Sequence, residues 1–148
     1  MKMLIPVSPG GHLTQSVFLA EKLKGYDLTF VTAYSAKFRS PTKKWKFRFV
    51  INPDRYLLKF MVLIFQSLWI LLRENPKVIV STGSNIPIPF FIIGKLMGKK
   101  LIYIESFSRV KTPSLSGRIL YRFSDLFFVQ WETMKKSYPN AIYAGRLA

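Results

Sequence analysis

The run Lys2-Met3-Leu4-Ile5-Pro6-Val7 leads directly into Ser8-Pro9-Gly10-Gly11-His12, and the reading of that junction decides the fold. A short, mostly apolar run bounded by turn residues fits a buried strand. Leu13-Thr14-Gln15-Ser16 then opens a helical pattern that reaches Lys24. A strand that turns through glycines into a helix sets unpaired backbone N–H groups and the positive helix end at the turn. Glycine lets the main chain approach a phosphate closely. The junction therefore reads as a strand-to-helix phosphate-type loop in a Rossmann-like α/β domain. It is not the dinucleotide fingerprint, which needs a third spaced glycine. A plain Gly-Gly turn with an incidental histidine is the alternative.

The same alternation continues along the chain. Strands are predicted at Lys2 to Val7, Asp27 to Thr32, Phe47 to Ile51, Val78 to Ser81, Leu101 to Ile104, Leu126 to Val129 and Ile142 to Tyr143. Helices are predicted between them at Leu13 to Lys24, Tyr56 to Glu74, Ile88 to Met97, Leu115 to Phe123 and Glu132 to Lys136. Apolar strands alternating with helices give a doubly wound, mostly parallel sheet. The first and fourth strands of such a sheet sit side by side, and ligands bind beyond their carboxyl ends. The 148 residues are expected to form a single domain spanning 1–148.

Two further turns fall at that switch point. After the fourth strand comes Ser81-Thr82-Gly83-Ser84-Asn85, with Ile86-Pro87-Ile88-Pro89 opening a helix. Small hydroxyl residues and glycine again precede a helix start, as an anion-facing turn or as a plain capping sequence. After the fifth strand, Glu105-Ser106-Phe107-Ser108-Arg109 places an acid at the end of the apolar run Leu101-Ile102-Tyr103-Ile104. Glu105 there serves either as a general base on a hydroxyl or as an ion-pair partner of Arg109.

Composition narrows the function. With 23 Lys and Arg against 7 Asp and Glu, the formal charge is +16, which favours an anionic partner. A mean hydropathy of +0.18 and 13 Phe make this a greasy basic protein, a pairing suited to a membrane surface. Nucleic acid is not expected, because no recognition-helix, zinc-finger or aromatic RNA-binding signature is present. The absence of cysteine and the single histidine leave no thiolate or histidine metal cluster, so neither metal nor cofactor is expected. The opening apolar run is too short for a signal peptide.

The segment Tyr56 to Arg73 carries Lys59, Gln66 and Arg73 on one narrow stripe and is apolar almost everywhere else. Leu57 to Arg73 gives roughly 25 Å of helix, short of the ~30 Å hydrocarbon thickness, so no transmembrane span is expected. Two uses are open to it: packing on all sides, or membrane contact with Lys59, Arg55 and Arg73 among headgroups and Phe60, Phe65 and Trp69 in the acyl boundary. The basic stretch Lys37, Arg39, Lys43, Lys44, Lys46, interleaved with Phe38 and Trp45, is either a solvated surface or a contact for headgroups or an anionic substrate. Asp125 and Glu132 read as structural caps.

Together, Pro9-Gly10-Gly11-His12, Ser81-Thr82-Gly83-Ser84 through Ile88-Pro89, and Tyr103-Ile104-Glu105-Ser106-Phe107 resemble the membrane-side subunit of a split glycosyltransferase family. Leu126-Phe127-Phe128-Val129-Gln130-Trp131-Glu132 and Tyr138-Pro139 extend the match. The family includes the membrane-recruiting subunit of the eukaryotic lipid-linked N-acetylglucosaminyltransferase and bacterial subunits of capsule and exopolysaccharide assembly. The resemblance implies the N-terminal half of a GT-B glycosyltransferase, binding a lipid-diphosphate-linked acceptor, while a separate small protein binds the nucleotide sugar. It implies work at the cytoplasmic face of the cell membrane. Compared with the eukaryotic members, no N-terminal hydrophobic anchor is expected, and attachment is expected to rest on the Tyr56 to Arg73 helix and the basic surface. The resemblance thus implies half an enzyme, with no nucleotide-binding second domain expected in this chain.

On that basis Gly10, Gly11, Thr82 and Gly83 are expected to cradle the acceptor diphosphate, joined by Ser8, Ser84, Asn85, Ser106 and Arg109. His12 is expected to hydrogen-bond the diphosphate or assist proton transfer, and Glu105 to act as base. The alternative is a noncatalytic membrane scaffold that stabilises the partner.

Overall fold

The computed structural model describes residues 1–34 and 44–147. In chain order the elements are β1 Lys2–Pro6, α1 Gly11–Lys22, β2 Asp27–Ala33, β3 Lys46–Val50, α2 Leu57–Glu74, β4 Val78–Ser81, α3 Pro87–Leu96, β5 Lys100–Ile104, α4 Leu115–Tyr121, β6 Leu126–Val129 and β7 Ile142–Tyr143. The last expected helix, Glu132–Lys136, is a single 3₁₀ stretch before β7. The seven strands form one sheet in the order β3-β2-β1-β4-β5-β6-β7, every neighbouring pair parallel. This is the doubly wound order, with the direction of winding reversing between β1 and β4.

Alternation along the buried strands divides two cores. Met3, Ile5 and Val7 of the first strand region pack with Leu28, Phe30, Val80 and Ile104 under Leu13 and Ala20 of α1. Leu4, Val31, Ile79, Leu101 and Phe127 face the other way, against Leu63, Ile70 and Leu71 of α2, Phe90 and Phe91 of α3 and Leu120 of α4. Each such side chain taken out of water contributes about 1.5–3 kcal/mol.

Helix starts follow local chemistry. α1 begins at Gly11, two residues earlier than expected, because Gly10 at φ 97° makes the turn and its carbonyl accepts from Thr14 N at 3.1 Å. His12 is thereby in the first helical turn. Pro87 and Pro89 sit at the start of α3, where a missing N–H leaves no bond unmade. α2 ends at Asn75, whose left-handed φ of 45° returns its N–H to the Leu71 carbonyl.

Helix α2 buries one face only. Leu63, Ser67, Ile70, Leu71 and Glu74 point inward, while Leu57, Leu58, Met61, Phe65, Leu68, Trp69 and Leu72 are exposed. Phe65 is 70% exposed and Trp69 55%. Lys59 lies over the Tyr56 ring and Arg73 over the Trp69 ring, at 4.9 and 5.8 Å. Of the side chains expected to contact membrane, Phe60 is the exception, because it is half-buried and packs against the core. No helix among the described residues is long and apolar enough to cross a membrane.

At the opposite end of α2, buried Glu74 gathers Lys2, Lys46 and Arg48 at 3.4, 3.0 and 2.8 Å. Burial alone would raise its pKa. The hydrogen bonds and charges of Lys46 and Arg48 outweigh burial and hold it at about 2. Glu74 thus joins the helix to edge strand β3.

Candidate functional site

Because β1, β4 and β5 are adjacent and parallel, the loops after them converge at one sheet edge. The first two are stitched together by buried hydroxyls. Ser81 Oγ donates to the Pro6 carbonyl at 2.6 Å and accepts from Gly83 N at 3.1 Å. Thr82 Oγ1 donates to the His12 carbonyl at 2.7 Å and lies 2.8 Å from Ser16 Oγ. His12 Nδ1 is 3.1 Å from the Thr82 carbonyl. A carbonyl only accepts, so Nδ1 carries a proton and Nε2 is the nitrogen left to the cavity. Gly83, at φ 129°, supports the ring: a Cβ there would stand 3.0 Å from His12 Nδ1 and Cε1.

The cavity beside this ring has a volume of about 250 Å³. His12, Ser84 and Asn85 form one side, Ser106, Ser108 and Arg109 a second, and Ser114, Leu115 and Ser116 a third. No ion pair holds Arg109 among the described residues, and the side chain is exposed. Its loop is braced from behind by Trp131, whose indole N–H donates to the Phe107 carbonyl at 2.7 Å and whose ring meets that of Phe107. Gln130 adds a second brace, donating to the Glu105 carbonyl at 3.0 Å and to Gln15 Oε1 of α1 at 2.9 Å.

Glu105 lies beneath the cavity rather than in its wall, 1% exposed. Its Oε1 accepts from Ser106 N at 3.0 Å and Ser114 Oγ at 2.7 Å. Its Oε2 accepts from Ser114 N at 3.2 Å and the Tyr138 hydroxyl at 2.7 Å. Arg109 is not its partner, contrary to one sequence expectation. Burial and the bond to Glu105 push the Tyr138 phenol far up, and burial with the Glu105 charge does the same to Tyr103, so both remain protonated. With every oxygen edge taken by a donor, Glu105 has no free edge for a substrate hydroxyl.

Of the expected site residues, His12, Ser84, Asn85, Ser106 and Arg109 meet at the cavity. Thr82 is fully buried and spent on internal bonds, and Gly83 is packed under His12. Ser8, Gly10 and Gly11 stand outside the cavity lining, with open space where the glycines would carry a Cβ. Ser108, Ser114, Leu115 and Ser116 were not anticipated. Their sequence signal is Pro113-Ser114 ahead of α4, where the Ser114 side chain caps the helix by accepting from Gly117 N. Lys37, Phe38, Arg39 and Lys43 lie outside the described residues. Asp125 is structural as expected, accepting from Leu101 N at 2.8 Å.

The cavity adjoins the exposed helix. Asn85 Nδ2 donates to the Asp54 carbonyl at 3.4 Å, three residues before α2 begins at Leu57. Tyr56, Leu57 and Leu58, which follow that contact in sequence, are all strongly exposed.

Similar folds and sequences occur among known proteins. Among solved structures, UDP-N-acetylglucosamine 2-epimerase from Rickettsia bellii superposes with a TM-score of 0.77 at 13% identity, covering 99% of this chain and 45% of that one. Acinetobacter baumannii MurG does so with a TM-score of 0.70 at 12% identity, covering 90% and 43%. At such identities the likeness is one of fold. In sequence, the mouse protein named UDP-N-acetylglucosamine transferase subunit ALG14 is 41% identical over 93 residues, 56% of this chain and 43% of its own length. Its Schizosaccharomyces pombe namesake is 42% identical over 78 residues, 49% of this chain and 37% of its own. The chain thus spans less than half the length of these curated relatives. Residues 55–147 match the family described as "Oligosaccharide biosynthesis protein Alg14 like", a span that holds the second and third loops, α2 and the Trp131 brace. The chain belongs to that Alg14-like family of oligosaccharide biosynthesis proteins.

Proposed function

We propose that this chain is the acceptor-binding subunit of a two-component glycosyltransferase, working at the cytoplasmic face of a membrane with a separate subunit that binds the nucleotide sugar. The observation that carries the reading is the contact of Asn85 with the segment that leads into α2: a small polar cavity is tied to the start of a helix whose outer face exposes Leu57, Leu58, Phe65 and Trp69. That juxtaposition suits a substrate with a polar head and a hydrocarbon tail. The names of the mouse and fission yeast relatives, subunits of a UDP-N-acetylglucosamine transferase, supply the donor class and the need for a partner.

In this reading the α2 face rests in the acyl boundary of an anionic membrane, with Arg55, Lys59 and Arg73 among the headgroups. The diphosphate meets Arg109 and the uncapped first-turn N–H groups of α1 around Gly10 and Gly11. The acceptor sugar occupies the cavity. His12 Nε2 takes the proton from the attacking hydroxyl as its oxygen bonds to the donor's anomeric carbon. The bond from that carbon to the nucleoside diphosphate breaks, and the leaving group departs on the partner's side. Positioned proton transfer of this kind is worth ~10²–10⁴-fold in rate. No metal or cofactor is assigned a role.

The test is to copurify the chain with the product of a neighbouring gene and assay sugar transfer from a panel of nucleotide sugars to lipid-diphosphate acceptors in vesicles. Transfer by the pair and by neither protein alone supports the reading. Transfer by this chain alone overturns it.

A further inference from the structure

Buried Glu105 has no place in the proton transfer just described, yet it accepts four hydrogen bonds directly under the cavity. A hydroxyl has one proton and two lone pairs. Ser114 Oγ gives its proton to Glu105 Oε1 at 2.7 Å and takes the Gly117 N–H at 2.9 Å. Its next neighbour, Ser116 Oγ, is 3.5 Å away, at the limit of a hydrogen bond. That long contact takes the second lone pair, on a side chain that lines the cavity, and it is the one a ligand hydroxyl would displace. A charge-assisted bond of this length locks the hydroxyl rotor, so the orientation is fixed before any ligand arrives. The fit is tight on the far side too, because a Cβ at Gly117 would collide with Glu105 Oε2 and stand 2.6 Å from the Tyr138 hydroxyl.

The cavity is polarised as a result. Arg109 offers only donors at one wall, and Ser114 offers an acceptor at another. We propose that Ser114 is a subsite for a sugar hydroxyl of the acceptor, read as a donor, and that Glu105 is the positioning residue that holds Ser114 in its accepting orientation. Resting on the transferase reading above, this assigns which end of the cavity takes the sugar and which the anion. A sugar lying the other way would set its phosphate against a wall backed by the Glu105 charge.

The experiment uses the copurified pair and a panel of short-chain alkyl-diphosphate sugars. Glu105→Gln and Ser114→Ala are each expected to raise the acceptor KM about tenfold while kcat stays within about threefold, the loss of one charge-assisted contact. Ser114→Thr, which keeps the hydroxyl, is expected to restore KM. Amide exchange on the variant chains checks that the fold persists, with Glu105→Gln speeding exchange at Ser106 and Ser114 only. A hundredfold fall in kcat at unchanged KM in Glu105→Gln, without faster exchange, would make Glu105 the base and overturn the proposal. Unchanged KM in both variants would overturn it as well. Should the wild-type pair transfer no sugar, the functional reading fails separately. The subsite is then decided by calorimetric titration with the same compounds, tenfold weaker binding to Ser114→Ala sustaining it and equal binding removing it.

Discussion

His12 Nδ1 lies 3.1 Å from the Thr82 carbonyl, and Thr82 Oγ1 returns a 2.7 Å hydrogen bond to the His12 carbonyl. This reciprocal pair ties the first turn of α1 to the end of β4 and fixes the imidazole with Nε2 as its available nitrogen. Replacing His12 with Ala is expected to lower kcat of the reconstituted pair by ~10²–10⁴-fold. Copurification with the partner should be unaffected, which pull-down and steady-state kinetics on the same preparation would check.

Gly83 holds that ring by having no side chain. At φ 129° an L-residue is strained, and a Cβ would press on the imidazole at 3.0 Å and on the Tyr103 hydroxyl at 3.1 Å. Gly83→Ala should destabilise the chain by roughly 1–2 kcal/mol, a fall in Tm of about 3–6 °C. Activity should fall further than this loss of stability explains, because the ring is displaced. Thermal unfolding and turnover measured below Tm separate the two effects.

Glu74 gives the fold a pH dependence. Its folded pKa of about 2 lies below the ordinary 4.5, so its contribution to stability is complete above pH 4.5 and lost as pH falls toward 2. Glu74→Gln removes that contribution at neutral pH and is expected to flatten the dependence of Tm on pH between 2 and 5. Circular dichroism melts across that range would show it; parallel curves for the two proteins would contradict the depressed pKa.

Helix α2 offers a test of membrane contact that spares the core. Phe65→Ser with Trp69→Ser changes two exposed side chains, so Tm should move by less than about 2 °C. Binding to vesicles containing anionic lipid should weaken at least tenfold in a flotation assay. Unaltered flotation would leave the apolar face unexplained by a bilayer.

Much of this was legible in the sequence. Short apolar runs such as Val78 to Ser81 and glycine-bearing turns located the strands, and the doubly wound order followed from their alternation with helices. Convergence of His12, Asn85 and Arg109 followed from topology, since parallel neighbours put their carboxyl ends together. What the sequence could not supply were contacts set by three-dimensional closure. Glu105 reads as a base because an acid ending an apolar strand looks exposed to chemistry. Its burial depends on Ser114 and Tyr138, nine and 33 positions away. The hub at Glu74 likewise needs β3 beside β2 before Lys46 and Arg48 can reach it. Phe60 reads as a membrane contact as readily as a core residue because a nearly all-apolar helix does not mark its inner face.

The most direct test of the proposed division of labour is sugar transfer by mixed subunits in vesicles, with His12→Ala introduced into this chain alone and donor binding to the partner followed by crosslinking of a photoreactive nucleotide sugar. The expected result is loss of transfer by at least a hundredfold with donor crosslinking to the partner unchanged. Undiminished transfer with His12→Ala, or crosslinking of the donor to this chain in place of the partner, would contradict an acceptor-side role for the cavity.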